Sequence, residues 1–312
     1  MTISSAPAAY RTGGLPYAIG AYLIWCLFPL YFALLRGVSA IEVVAWRLLF
    51  TLPFCLVMIV ILRQGPQLRA AIIRPRVVAA LALSGLLIGT NWLAYVIAVM
   101  HGHVLAASLG YYINPLMNVL AGTLFLRERL SRLQWLAVAL AAIGVAILAW
   151  DALDTLWISL TLALSFCGYG LTRKLAPVDA LPGLTIETLV LLGPALGLLA
   201  WQAGTPAGLG MGSSLELNLL LPWSGVLTGV PLLLFAAAAR RLEFSTLGLI
   251  QFLTPTGVFL IGLFLFHEPL KTTQAVCFLF IWTAIAAFCW DLLSRRKSAR
   301  VDRPRSESAG EA

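Results

Sequence analysis

The chain has 312 residues, 61% hydrophobic and only 11% charged, with a formal net charge of +8. A soluble domain carries about 25% charged residues, so too little charge is present to clothe a water-soluble globule. The positive excess does not argue for nucleic acid either, because the basic residues sit between apolar runs and in one tail, not on a basic surface interleaved with aromatics.

Residues 1–14 are polar and read as a tail. The first apolar run continues directly into a full-length span, so no cleavable signal peptide is expected. The apolar runs predict ten membrane helices, at about 15–35, 41–62, 77–100, 104–126, 133–150, 155–173, 184–202, 219–239, 244–266 and 272–292. Each is long enough to cross about 30 Å of hydrocarbon. Only His101-Gly102-His103 separates the third span from the fourth, but a continuous helix of their joint length would overshoot any bilayer, so a turn is required there. Residues 203–214 form a Gly-rich loop, and 294–312 form a polar Arg/Ser/Glu-rich tail expected to be disordered. The five cysteines, Cys26, Cys55, Cys167, Cys277 and Cys289, all fall inside spans without metal-ligand spacing and read as small packing residues. The fold class is therefore an all-α membrane protein of ten transmembrane helices. With the polar segments assigned alternately to two sides, 18 of the 21 Lys and Arg residues fall on one side and only Arg36, Arg47 and Lys271 on the other. That bias places both termini in the cytoplasm.

The chain also repeats itself. Asn114-Pro115 is followed by an apolar run ending at Arg127-Glu128, and Thr254-Pro255 by one ending at His267-Glu268; each proline lies 13 residues before its glutamate, and the copies are 140 positions apart. Trp25-Cys26 with Phe28 and Leu30 matches Phe166-Cys167 with Tyr169 and Leu171, 141 positions on. Two five-span repeats follow, 15–150 and 151–293. Five is odd, so the second enters the membrane from the opposite side. Inverted repeats are the usual construction of a small-molecule transporter working by alternating access.

The stretch Leu87-Ile88-Gly89-Thr90-Asn91-Trp92-Leu93, followed by Ala107-Ser108-Leu109-Gly110-Tyr111-Tyr112-Ile113-Asn114-Pro115-Leu116, resembles the RarD-type members of the EamA family in the drug/metabolite transporter superfamily. Tyr169-Gly170-Leu171 with Arg173-Lys174, Ile186-Glu187-Thr188, Val230-Pro231-Leu232-Leu233 and Ser245-Thr246-Leu247-Gly248 extend the resemblance over about residues 15–292. It implies a ten-helix permease of the bacterial inner membrane with two EamA-type repeats. The cargo it implies is small metabolites, among them amino acids or amphipathic drugs such as chloramphenicol. The chain departs from the family at Ala106, where an acidic residue commonly stands. It departs again at Arg127-Glu128 and His267-Glu268, where Gly-Glu is usual.

Candidate site residues follow from polarity inside the spans. Tyr111, Asn114 and Asn118 share one helical face, which must point into the bundle because amides facing lipid are costly. They either contact substrate or bridge helices. Pro115 removes a backbone donor and frees a carbonyl. Gln251, Thr254 and Pro255 repeat that arrangement in the second half. Asn91, Trp92 and Tyr95 form a stripe on the third span, with Pro231 as the counterpart of Asn91. Trp25, near Pro29, and Phe28 match Phe166 and Tyr169. These aromatics are either packing and interfacial anchors or the lining of a cavity for amphipathic cargo. Glu42, Arg47, Glu187 and Glu268 are gate or coupling candidates. Glu42 and Arg47 are poorly placed to pair with each other. Arg47 can snorkel outward, meet Asp151, Asp154 or Glu268, or bind a substrate carboxylate.

No carboxylate stands at the middle of a span, which argues against a single buried glutamate coupling proton and cargo. A lipid or lipid-linked-sugar flippase is the nearest alternative, with a non-transporting sensor behind it. A membrane-embedded enzyme is disfavoured because Ser108 and Ser165 lie within spans while His101, His103 and His267 sit at span ends. No catalytic residue, cofactor or metal site is expected. The expected partners are a small-molecule substrate and the bilayer, with monomer and homo-oligomer both open.

Overall fold

A computed structural model of the chain describes residues 12–35, 37–150, 153–267 and 271–301. Ten helices are long and apolar enough to cross a membrane: Leu15–Leu34, Ala40–Ile61, Pro75–Met100, Val104–Leu124, Arg132–Trp150, Leu153–Leu175, Ala180–Ala203, Leu215–Ala239, Phe244–Phe264 and Thr272–Leu292. Helices are what such sequences must form in hydrocarbon, where every backbone N–H and C=O needs an internal partner. The outer faces carry exposed apolar side chains such as Val60, Leu124 and Leu215. Exposed tryptophans mark both rims, Trp135 and Trp290 at one end and Trp150, Trp157 and Trp201 at the other, as interfacial anchors do. The chain is a multi-pass membrane protein. The end bearing residues 62–74, 125–131, 176–179 and 240–243 is called the basic end below.

Two features lie outside the sequence expectation. The segment after the second span contains a short helix, Gly65–Ile72, on the basic end. The last helix runs on to Val301, so residues 294–301 are helical rather than disordered. A helix whose backbone is already hydrogen-bonded propagates easily.

The principal helix pairs are the second with the seventh, the fourth with the ninth, the fifth with the tenth, the third with the sixth, the first with the eighth, the second with the eighth, the third with the seventh, the fourth with the sixth and the first with the ninth. Shifting every span by five maps this set onto itself, the packing signature of two inverted five-helix repeats. Close approach at the crossings depends on missing side chains. A Cβ at Gly248 would sit 2.7 Å from the Pro115 carbonyl oxygen, and one at Gly144 would sit 2.9 Å from Phe280 Cβ.

The symmetry fails in one respect. The first span breaks at Leu27 into Leu15–Cys26 and Phe28–Leu34, and the ninth breaks at Phe252 into Phe244–Gln251 and Leu253–Phe264. Pro29 and Pro255 follow these breaks and have no N–H to donate to the carbonyls four residues earlier. Their repeat mates are unbroken: the sixth span is one helix, Leu156–Leu175, after a 3₁₀ turn, and the fourth is continuous through Pro115. The eighth is likewise continuous through Pro231.

Both repeats end their fourth helix on the same turn. Arg127 and His267, 140 positions apart, have φ of 55° and 52°, the left-handed region in which glycine is at home. At Arg127 the turn brings the Glu128 N–H to the Gly122 carbonyl at 3.0 Å, a helix-terminating bond.

Candidate functional site

Three layers stack along the axis between the repeats. The first lies in the half away from the basic end and centres on Arg47, eight residues into the second span and so about 10 Å below its start. Its Nε donates to Thr228 Oγ1 on the eighth span at 2.9 Å. The guanidinium carbon lies 4.8 Å from the centroid of the Trp92 ring, 5.3 Å from Phe28 and 5.7 Å from Phe32. Tyr111, Tyr31 and Tyr95 are within electrostatic reach of it, and the rings of Tyr95 and Tyr111 are 5.8 Å apart. Arg47 is 8% exposed, whereas Phe28, Phe32, Trp92, Tyr95 and Tyr111 are all half-buried.

Among the described residues, no carboxylate comes within 4.0 Å of Arg47. Glu42, five residues earlier, is engaged elsewhere. It accepts from the backbone N–H groups of Gly210 and Met211 and from Trp46 Nε1, tethering the 204–214 loop. Asp154 does not pair with Arg47. Asp151 and Glu268, the other partners expected for it, lie outside the described residues. A buried guanidinium is costly in a membrane, and here the faces of three rings offset part of that cost.

The second layer is an aromatic plug at mid-depth and below. Tyr22, Tyr169 and Phe235 are completely buried and Phe166 nearly so. Trp25 packs against Tyr22, Phe166 and Phe235, with ring centroids 5.7–5.8 Å apart. Tyr22 also donates to the Leu247 carbonyl and Thr254 Oγ1 to the Tyr22 carbonyl, locking the first span to the ninth on either side of its break.

The third layer closes the basic end with charge. Glu128 accepts from the Phe244 N–H at 2.6 Å, the Ser245 N–H at 2.8 Å and Ser245 Oγ at 2.7 Å, capping the ninth span, with Lys174 Nζ 4.0 Å away. A carboxylate at a helix N-terminus satisfies orphan donors and complements the dipole. Lys174 itself donates to the carbonyls of Ala239 and Leu242. Beside it Arg173 and Glu187, both essentially inaccessible, pair at 3.6 Å, and Ser84 Oγ donates to Glu187 Oε1 at 2.6 Å. At the rim Arg240 pairs with Asp179 at 2.7 Å.

The residues singled out from sequence thus divide. Trp92, Tyr95, Tyr111 and Arg47 assemble around the first layer. Trp25, Phe166 and Tyr169 form the plug. Asn91 donates to the Leu162 carbonyl and Ser165 Oγ, and Asn118 to Gln251 Oε1 at 2.7 Å, so these three amides bridge helices. Asn114 is fully buried, and its Oδ1 has no hydrogen-bond partner. Sequence reasoning missed Thr228, Phe32, Phe235 and the role of Arg173, which it counted only toward the charge bias. The signal for Arg173 was present, since an arginine at a span end can meet a carboxylate near the same end, and Glu187 stands near the inner end of the seventh span. Four of the five cysteines are buried and unpaired; Cys289 is exposed.

Residues 12–150 match the model of the EamA-like transporter family. The chain is 47% identical over 277 residues to an "uncharacterized transporter" of Pseudomonas aeruginosa, covering 88% of this chain and 93% of the relative. It is 42% identical to the protein RarD of Escherichia coli, over 92% of this chain and 97% of the relative. It is 40% identical to the "uncharacterized transporter YojE" of Bacillus subtilis, with the same coverage. One solved crystal structure superposes with a TM-score of 0.69 at 20% identity, covering 89% of this chain and 97% of the other, a likeness of fold.

Proposed function

Because this chain belongs to the EamA-like transporter family, we propose that it moves small amphipathic metabolites across a bacterial inner membrane by alternating access between the repeats 15–150 and 151–293. The basic end is the cytoplasmic one, as the charge bias supports. The observation that carries the mechanism is the asymmetry between repeat mates. The ninth span is broken ahead of Pro255 while the fourth runs unbroken through Pro115. In the ninth span the half facing the cytoplasm is packed, every residue of Phe244–Gln251 being buried, and in the first span that half buries Ala18, Ala21, Tyr22 and Cys26. The other halves are loose: Phe28–Leu34 buries no residue, and Leu253–Phe264 buries only Pro255 and Gly262. This asymmetry supports an outward-open state. Exchanging the conformations of the two repeats would straighten the ninth span, break the fourth near Pro115 and open the cytoplasmic end.

The groups around Arg47 support a cargo with an apolar or aromatic body and a polar head: ring faces take the body, and phenols and the guanidinium take the head. Amino acids and drugs such as chloramphenicol fit that description, and one relative, 32% identical, is named a chloramphenicol-sensitive protein. The test is counterflow in proteoliposomes with a panel of amino acids, aromatic metabolites and chloramphenicol, using Asn114→Ala as control. Saturable exchange that the variant loses is expected. Absence of exchange with every solute, from folded protein, overturns the reading.

A further inference from the structure

The transport reading takes its charge specificity from the free edge of Arg47. Its Nε is taken by Thr228, its faces by Trp92, Phe28 and Phe32, and neither Nη group has a hydrogen-bond or carboxylate partner among the described residues. The hydroxyls of Tyr95 and Tyr111 likewise make no hydrogen bond there, although Tyr31 donates to the Leu220 carbonyl. We propose that Arg47 is the anion-binding residue of the outward-facing cavity, and that the cargo carries one carboxylate on an apolar or aromatic body.

The stoichiometry follows from the surroundings. Among the described residues the groups around Arg47 are rings, phenols and one hydroxyl, with no second charged group. One guanidinium matches one carboxylate, through two parallel N–H···O bonds from the edge that the rings leave uncovered. A phosphate, carrying nearly two charges, would be undercompensated at such depth. The phenols of Tyr95 and Tyr111 supply further donors to a carboxylate oxygen, and the partly exposed faces of Trp92, Phe28 and Phe32 lie where the apolar body would rest. The burial that makes an unpaired arginine costly makes it selective: a neutral analogue forfeits a charge-assisted pair, and a cationic one meets repulsion.

This inference rests on the transporter reading for its biological meaning but is tested independently of transport. Detergent-purified full-length protein is titrated with 3-phenylpropionate, 3-phenylpropanamide and 3-phenylpropylamine, following tryptophan fluorescence, since Trp92 stacks on the site. Expected is a saturable response to the carboxylate about tenfold or more tighter than to the amide, and none to the amine. Arg47→Met is expected to abolish the preference and Arg47→Lys to keep part of it. Equal response to acid and amide in the wild-type protein overturns the proposal whether or not the variants fold, as does a preference that survives in Arg47→Met. Counterflow of the same compounds separates the two claims. Carboxylate binding without exchange of any solute sinks the transporter reading and leaves the site. Exchange of neutral or cationic solutes with no carboxylate preference sinks the site and leaves the transporter.

Discussion

Replacing Glu128 by glutamine tests whether the cytoplasmic seal is a switchable latch. The carboxylate takes three hydrogen bonds, at 2.6, 2.8 and 2.7 Å, from the first turn of the ninth span. Glutamine keeps one acceptor oxygen but turns an NH₂ toward a backbone N–H, so one donor at the helix start loses its partner. A buried donor left unsatisfied costs about 1–3 kcal/mol, and the lost charge at the helix N-terminus adds about 0.3–1 kcal/mol. A loss of about 2 kcal/mol, borne only by the state in which Glu128 touches the ninth span, shifts the open-to-closed ratio about thirtyfold. The assay is maleimide labelling of a single cysteine at Thr246→Cys in a cysteine-free background. Thr246 is 2% exposed, lies next to the cap, and its hydroxyl has no partner to lose. Labelling from the cytoplasmic side is expected to accelerate about tenfold or more in Glu128→Gln. Labelling unchanged within about twofold, alongside a lower melting temperature, would show that the cap holds the fold equally in all states, and would refute the latch.

The Arg173–Glu187 pair should couple strongly. Arg173→Met or Glu187→Leu alone leaves a buried charge uncompensated and should cost about 3–5 kcal/mol. The double variant should recover most of that loss in thermal unfolding, because Arg173 Nε and Nη1 and Glu187 Oε2 make no hydrogen bonds even in the native pair. Additive losses would contradict this. Arg127→Gly should raise the unfolding temperature, since an L side chain at φ 55° costs about 1–2 kcal/mol that glycine avoids; a fall would refute it. Gly248→Ala should destabilise by about 1–3 kcal/mol, because its Cβ would meet the Pro115 carbonyl oxygen at 2.7 Å, whereas Gly197→Ala, with open space, should be neutral or stabilising. Equal melting curves for the two variants would sink the crossing argument.

How much of this was legible from the residues depends on the range of the interaction. Hydropathy alone determined ten helices, because a 20-residue apolar run in lipid has one way to satisfy its backbone. The 140-residue offset between Pro115 and Pro255 determined the repeat, and the odd span count its inversion. Polarity inside spans drew attention to Arg47, Tyr111, Asn114 and Glu187, since such groups are too costly to be idle. What each does is a matter of neighbours. Asn91 and Asn114 look alike in sequence, yet the Asn91 amide N–H meets the Leu162 carbonyl on the sixth span while Asn114 Oδ1 meets no donor. Only tertiary structure decided that Glu42 turns to the 204–214 loop, that Arg173 answers Glu187, and that Arg47 stands between three rings from two helices. Tertiary structure also decided which of two equivalent prolines sits beside a break. Pro115 and Pro255 remove the same donor from the same kind of helix. The packing of one repeat against the other makes one span straight and the other bent, because identical local chemistry can be satisfied in either arrangement and only contacts distant in sequence differ between them.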